Sequence, residues 1–104
     1  MRDKRRYVSF MVEAESPVSE KEVFEAVLGS ILSFLGELGY SKANPKPMKF
    51  ESSTGFGILR CAATETDSVR SSLAFLSKIN GKRAAIRLLS NSGSIRKLKK
   101  NFKS

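Results

Sequence analysis

Arg6-Tyr7-Val8-Ser9-Phe10-Met11-Val12-Glu13 alternates with a period of two. Side chains on a strand point to opposite faces in turn, so Val8, Phe10 and Val12 share one face and Tyr7, Ser9 and Met11 the other. That is the pattern of a half-buried strand. The next residues change the period. Ser16-Pro17-Val18 turns the chain, and Ser19 with Glu22 three residues later forms a capping box. Each of those two side chains serves a backbone N–H that the first helical turn leaves unpaired. A long helix then runs to about Leu38, with Gly39 as its C-terminal cap. Its inward stripe is Phe24, Val27, Leu28, Ile31, Leu35 and Leu38. Val23 and Phe34 widen the stripe beyond what one sheet face covers, which marks them as a protein-partner surface, unless flanking loops cover them.

The pattern continues outward from this first strand–helix unit. Tyr40 to Thr54 holds Asn44, Pro45 and Pro47 and reads as a loop, with a weak strand signal at Met48 to Glu51. Phe56 to Ala63 is the next strand. A second helix begins at Thr66 or Asp67, places Val69, Leu73, Leu76 and Ile79 on one face, and ends at Asn80-Gly81. Lys82 to Ser90 is a strand with Ala84, Ile86 and Leu88 on one side. Ser94 to Phe102 reads as a basic helix. The order is strand, helix, weak strand, strand, helix, strand, helix. It predicts a two-layer α+β sandwich over residues 1–104, with an antiparallel sheet and helices on one face, of the ferredoxin-like split βαβ kind.

Charge is placed unevenly on this frame. Met1 to Phe50 carries eight basic and seven acidic residues, whereas Glu51 to Ser104 carries eleven and three. Almost all of the net +9 therefore sits in the second half, which favours an anionic partner there. The composition, 40% hydrophobic and 28% charged, is that of one ordinary globular domain. No apolar run reaches the roughly 18–20 residues of a membrane span, so no membrane partner is expected and the expected location is the cytoplasm. A single cysteine, Cys61, excludes an internal disulfide and a cysteine metal cage, and it reads as a small core residue. There is no histidine, hence neither the commonest general base nor the commonest metal ligand. No paired-carboxylate site stands out. No catalytic residue and no protein-bound metal or cofactor is expected.

Two constellations point to nucleic acid. In the first, Asn91-Ser92-Gly93-Ser94 leads into Ile95-Arg96-Lys97-Leu98-Lys99-Lys100. A helix N-terminus attracts phosphate through its free N–H groups. Ser92, Gly93 and Ser94 supply close approach and donors, while Arg96, Lys97, Lys99 and Lys100 supply charge; a capped helix with solvated lysines is the plain alternative. The second is the sheet face away from the helices, where Arg60, Arg83 and Arg87 fall among Tyr7, Met11, Phe56 and Ile58. Arginine binds phosphate bidentately and stacks on bases. This face either meets RNA or is covered by the terminal helix or a partner. Thr54-Gly55-Phe56-Gly57-Ile58-Leu59-Arg60-Cys61 also echoes the RNP1 strand of RNA-recognition domains, but Ile58 and Cys61 stand where stacking aromatics belong. Backbone contact is therefore expected in place of base stacking.

Gly57-Ile58-Leu59-Arg60-Cys61, Asp67-Ser68-Val69-Arg70-Ser71-Ser72-Leu73, Asn80-Gly81-Lys82-Arg83-Ala84-Ala85-Ile86-Arg87 and Ser92-Gly93-Ser94-Ile95-Arg96, with Arg6-Tyr7-Val8-Ser9-Phe10 before them, stand in a distinctive order. In this the chain resembles the family of archaeal ribonuclease P protein component 2 and its eukaryotic relative, the Pop-five subunit of ribonuclease P and RNase MRP. The resemblance implies an RNA-recognition-like sandwich. It implies a non-catalytic subunit supporting the ribonuclease P RNA, which itself uses Mg²⁺ to remove the 5′ leader of precursor tRNA. It further implies pairing with a TIM-barrel-like ribonuclease P subunit, commonly as a heterotetramer, and only indirect contact with precursor tRNA. The rival readings are a generic RNA-binding ribonucleoprotein module, whose RNA affinity would not favour ribonuclease P RNA, and a protein-interaction scaffold, whose binding would depend little on salt.

Overall fold

The computed structural model describes residues 4–92. The elements are β1 (Arg5–Ala14), α1 (Glu20–Ala43), β2 (Lys46–Glu51), β3 (Phe56–Ala62), a 3-10 turn at Ala63–Glu65, α2 (Thr66–Ala74), β4 (Lys78–Ile79) and β5 (Lys82–Ser92). Among the described residues one sheet runs in the order β2-β3-β1-β5-β4, with every neighbouring pair antiparallel. Because β3 is antiparallel to both β1 and β2, those two run parallel with β3 between them, which is the split βαβ arrangement.

Period two in β1 does what the sequence predicts. Val8, Phe10 and Val12 join Leu59, Cys61 and Ile86 of the sheet in one core with Val23, Phe24, Val27 and Ile31 of α1 and Val69 and Leu73 of α2. Each such side chain, fully buried, contributes on the order of 1.5–3 kcal/mol. Phe10 lies opposite Gly57 across the β1–β3 ladder, and a Cβ on Gly57 would sit 2.5 Å from the Phe10 ring. The missing side chain at Gly57 is the seat of that ring. Cys61 is the expected core residue: it is buried against Thr66, and burial pushes its thiol pKa up.

The capping box forms as predicted, with Ser19 N–H donating to Glu22 Oε1 at 2.9 Å and Glu22 N–H to Ser19 Oγ at 3.2 Å. The far end of α1 departs from expectation. Gly36 (φ 77°, ψ 173°) breaks the helix, which then resumes to Ala43. The cap is Asn44 in the left-handed region (φ 46°), its N–H donating to the Tyr40 carbonyl at 2.9 Å, so Gly39 is interior. Asparagine tolerates that conformation, and Pro45 beyond it cannot continue a helix. The break also shifts the helical phase: Leu38 leaves the stripe and is 73% exposed. Val23 is fully buried in the core, which removes it from any partner surface. The stripe is wide because α1 packs on α2 as well as on the sheet, with Ser30 Oγ donating to the Ser72 carbonyl at 2.9 Å. α1 is long and apolar enough to pass for a membrane span, contrary to the reading of the sequence, yet its buried stripe is the domain's own core.

Two strands replace expected loop and helix. Lys46–Glu51 pairs with β3 and extends the weak strand at Met48. α2 stops at Ala74; Ile79 remains buried, but on β4. Asn80 (φ 52°) and Gly81 (φ 81°) are the two central residues of a β4–β5 hairpin and do not cap a helix. Positive φ at both positions is what a type I′ turn demands, and Asn-Gly is its commonest pair. The terminal basic helix expected over residues 94–102 lies outside the described residues.

Candidate nucleic-acid interface

Residues directly opposite on antiparallel strands share a face, so the strand register orders the sheet surface turned away from the helices. Lys46, Arg60, Tyr7 and Ser92 form one row across β2, β3, β1 and β5. Glu51, Phe56, Met11 and Arg87 form another. Arg5 lies opposite Ala62 beyond the first row, and Arg83 lies opposite Lys78 beyond the second. An irregularity in the β1–β5 pairing between Val8 and Phe10 adds one residue to β5 between the two rows. It brings Ser92 level with Tyr7.

All three predicted arginines share this face, but they do not converge. At about 3.3 Å per residue, Arg87 lies roughly 13 Å and Arg83 roughly 25 Å along the strand direction from the Arg60 row. Between them lies an apolar spine, not an open platform. Phe56 and Ile58 are 4% and 0% exposed and pack with Tyr7 and Met11. Bases cannot stack on buried side chains, so the RNP1-like strand offers Arg60 and no aromatic platform. Of the other predicted contacts, Ser92 ends β5, while Gly93, Ser94, Arg96, Lys97, Lys99 and Lys100 lie outside the described residues.

The two ends of the face differ electrostatically. Arg87 Nη2 lies 3.5 Å from Glu13 Oε2. The Arg83 backbone N–H donates to Glu15 Oε2 at 3.2 Å. On the helix side of the same strand, Lys82 Nζ lies 3.8 Å from Glu22 Oε2 and donates to the Pro17 carbonyl at 2.9 Å. At the other end, Arg5, Lys46 and Arg60 form no ion pair with a carboxylate among the described residues. Arg5 and Lys46 are functional candidates that the reading of the sequence missed. Continuing the β1 alternation two residues back from Tyr7 finds Arg5; Lys46 required the β2 register.

The predicted partner surface survives only in part. Phe34 is 49% exposed and stacks on Phe75 of the α2–β4 connection, itself 72% exposed, with ring centroids 5.4 Å apart and planes at 26°. Phe75 was not anticipated.

A split βαβ sheet with its helices on one face and a cation-rich opposite face defines a small basic α+β domain of the RNA-recognition-like class. The chain belongs to the Rpp14/Pop5 family, whose model matches residues 6–103. It is 42% identical to "Ribonuclease P protein component 2" of Pyrococcus furiosus over 102 residues, covering 98% of this chain and 85% of that protein. It is 38% identical to the proteins of the same name from Thermococcus kodakarensis and Methanosarcina barkeri, covering 98% of this chain in each case and 85% and 74% of those proteins. The fold matches a chain in the cryo-EM structure of yeast ribonuclease MRP with a TM-score of 0.68 at 10% identity, over 99% of this chain and 92% of that one.

Proposed function

We propose that this chain is a non-catalytic protein subunit of ribonuclease P that binds the RNA of the enzyme through the sheet face opposite its helices. The observation that carries this is the cation-rich face, without a carboxylate partner at one end among the described residues, in a family member whose archaeal relatives bear the name ribonuclease P protein component 2. In this role Arg60, Arg83 and Arg87 contact the RNA backbone. Ser92 at the end of β5 and Gly93, Ser94, Arg96, Lys97, Lys99 and Lys100 after it in the sequence hold phosphate. The RNA carries out the Mg²⁺-dependent hydrolysis that removes the 5′ leader of precursor tRNA, and the chain contributes charge and position; it has no histidine with which to move a proton near neutral pH. The exposed Phe34–Phe75 pair is the docking point for a TIM-barrel-like partner subunit, in a heterotetramer. The test is precursor-tRNA cleavage by ribonuclease P RNA at limiting Mg²⁺ with the partner subunit present and this chain added or omitted. Cleavage that requires the chain is the expected result. Cleavage indifferent to it, with RNA and partner both competent, overturns the proposal.

A further inference from the structure

Three chain segments meet beside the Arg60 row. β1 begins at Arg5, β3 ends at Ala62, and α1 ends at Ala43 before turning through Asn44 into β2. The Ala63 N–H donates to the Lys4 carbonyl at 2.8 Å and ties the first two together, while the Asn44 cap fixes the third. They enclose a pocket of about 160 Å³, lined by Lys4, Arg5, Ser41, Lys42, Asn44, Arg60, Cys61 and Ala62. One ordered water needs about 10–15 Å³ of such space, so the pocket has ample room for a tetrahedral oxyanion.

Its described lining is cationic: it holds Lys4, Arg5, Lys42 and Arg60, and no carboxylate is among the described lining residues. None of the four is ion-paired among the described residues. The C-terminal dipole of α1 opposes an anion by about half a charge, which four full charges outweigh. Ser41 and Asn44 add uncharged hydrogen-bond donors. Like charges held together without a counter-ion repel, and a bound anion relieves that repulsion. The planar guanidinium of arginine can hold two oxygens of a tetrahedral phosphate through parallel N–H···O bonds.

We propose that this pocket seats one phosphodiester group of the RNA backbone, with Arg5, Lys42 and Arg60 as its principal ligands. The proposal rests on the RNA-binding role above and adds a site drawn mainly from the half of the chain that is nearly neutral by sequence.

The test measures binding of the full chain to ribonuclease P RNA as a function of salt, for wild type, R5Q/K42Q and, as a control at the opposite end of α1, K21Q. All three positions are exposed, and an amide NMR spectrum of each variant verifies the fold; Lys42→Gln alone serves if the double variant is unfolded. Loss of two phosphate contacts is expected to make the slope of log affinity against log salt shallower by about 1.5, and to weaken binding about tenfold near 0.15 M salt, with K21Q unchanged. A double variant with wild-type slope and affinity overturns the pocket while leaving the ribonuclease P role standing. If the wild-type chain neither binds the RNA nor supports cleavage, the ribonuclease P role fails instead. Titration with inorganic phosphate then decides the pocket alone. Saturable amide shifts at Ser41, Lys42 and Asn44, lost in R5Q/K42Q, identify a phosphate site fed from another source; no shifts overturn it.

Discussion

The two ends of the far sheet face are built from the same residue types and carry opposite electrostatic lessons. At the β5 end, Arg87 faces Glu13, and Glu15 folds onto the backbone of Arg83. At the β3 end, Arg5, Lys46 and Arg60 have no such carboxylate among the described residues. By sequence the contrast runs the other way, since residues 1–50 are nearly neutral and residues 51–104 hold the excess charge. Folding inverts it, because Glu13 of β1 and Glu15 just after it meet β5, whereas Arg5 of β1 and Lys46 of β2 lie beside Arg60 of β3. Charge counted along a chain describes the chain; the charge a ligand meets depends on strand order.

Both ends hang on the apolar spine between them, and breaking that spine has the largest expected effect. Ile58 is fully buried on the far face. Ile58→Ala is expected to cost about 3 kcal/mol of unfolding free energy, read as a lower urea midpoint at unchanged m-value. A loss below about 1 kcal/mol would mean the face is open at its centre, and that bases could reach Phe56 after all.

The contrast between the ends is sharpened by neutralising one arginine at each. Arg60→Gln is expected to reduce the salt slope of RNA binding by about 0.8 and to weaken affinity several-fold. Arg87→Gln is expected to do markedly less, because Glu13 already supplies part of its counter-charge and fewer ions are released when RNA arrives. Equal effects would show that the Arg87–Glu13 pair does not persist in solution. The converse substitution, Glu13→Gln, should free Arg87 and tighten RNA binding by up to about threefold. Both partners of that pair are more than half exposed, so its loss should change stability by under about 1 kcal/mol.

How much of this was legible in the sequence depends on the range of the forces involved. The alternation in β1, the capping box and the Phe24–Val27–Ile31 stripe are local patterns, and each forms as read. The far-face position of Arg60, Arg83 and Arg87 follows from the same alternation. The mistakes lie where two local signals compete. Asn80-Gly81 suits both a helix end and a hairpin turn, and the buried Ile79 fits both a helical face and a short strand; pairing with Lys82 decides for the strand. Val23 looked surplus because α2 was not counted as a second surface for α1 to bury. The pocket could not be read at all, since Lys4, Lys42 and Arg60 converge only through the order β2-β3-β1 and the overrun of α1 past Gly36.

The smallest effect tests whether the compensated end is held by charge or only by shape. Glu22 accepts from the Ser19 N–H through Oε1, and through Oε2 it meets the Asn80 side-chain amide and Lys82. Chiefly the Ser19 backbone hydrogen bond, then the one from Asn80, with Lys82 adding attraction, hold its carboxyl below the usual value. A carboxyl whose pKa is lower in the folded state stabilises the fold above its unfolded pKa, and that stability is lost as pH falls through the folded pKa. Glu22→Gln keeps one oxygen, enough for the capping box but not for the hairpin as well. The variant should therefore melt below wild type at neutral pH, and the gap should close as the medium is acidified past the carboxylate range. Amide exchange should quicken at Lys82 while the β1–β3 ladder is unaffected. A Tm gap that stays constant from neutral to acid pH would assign Glu22 a steric role.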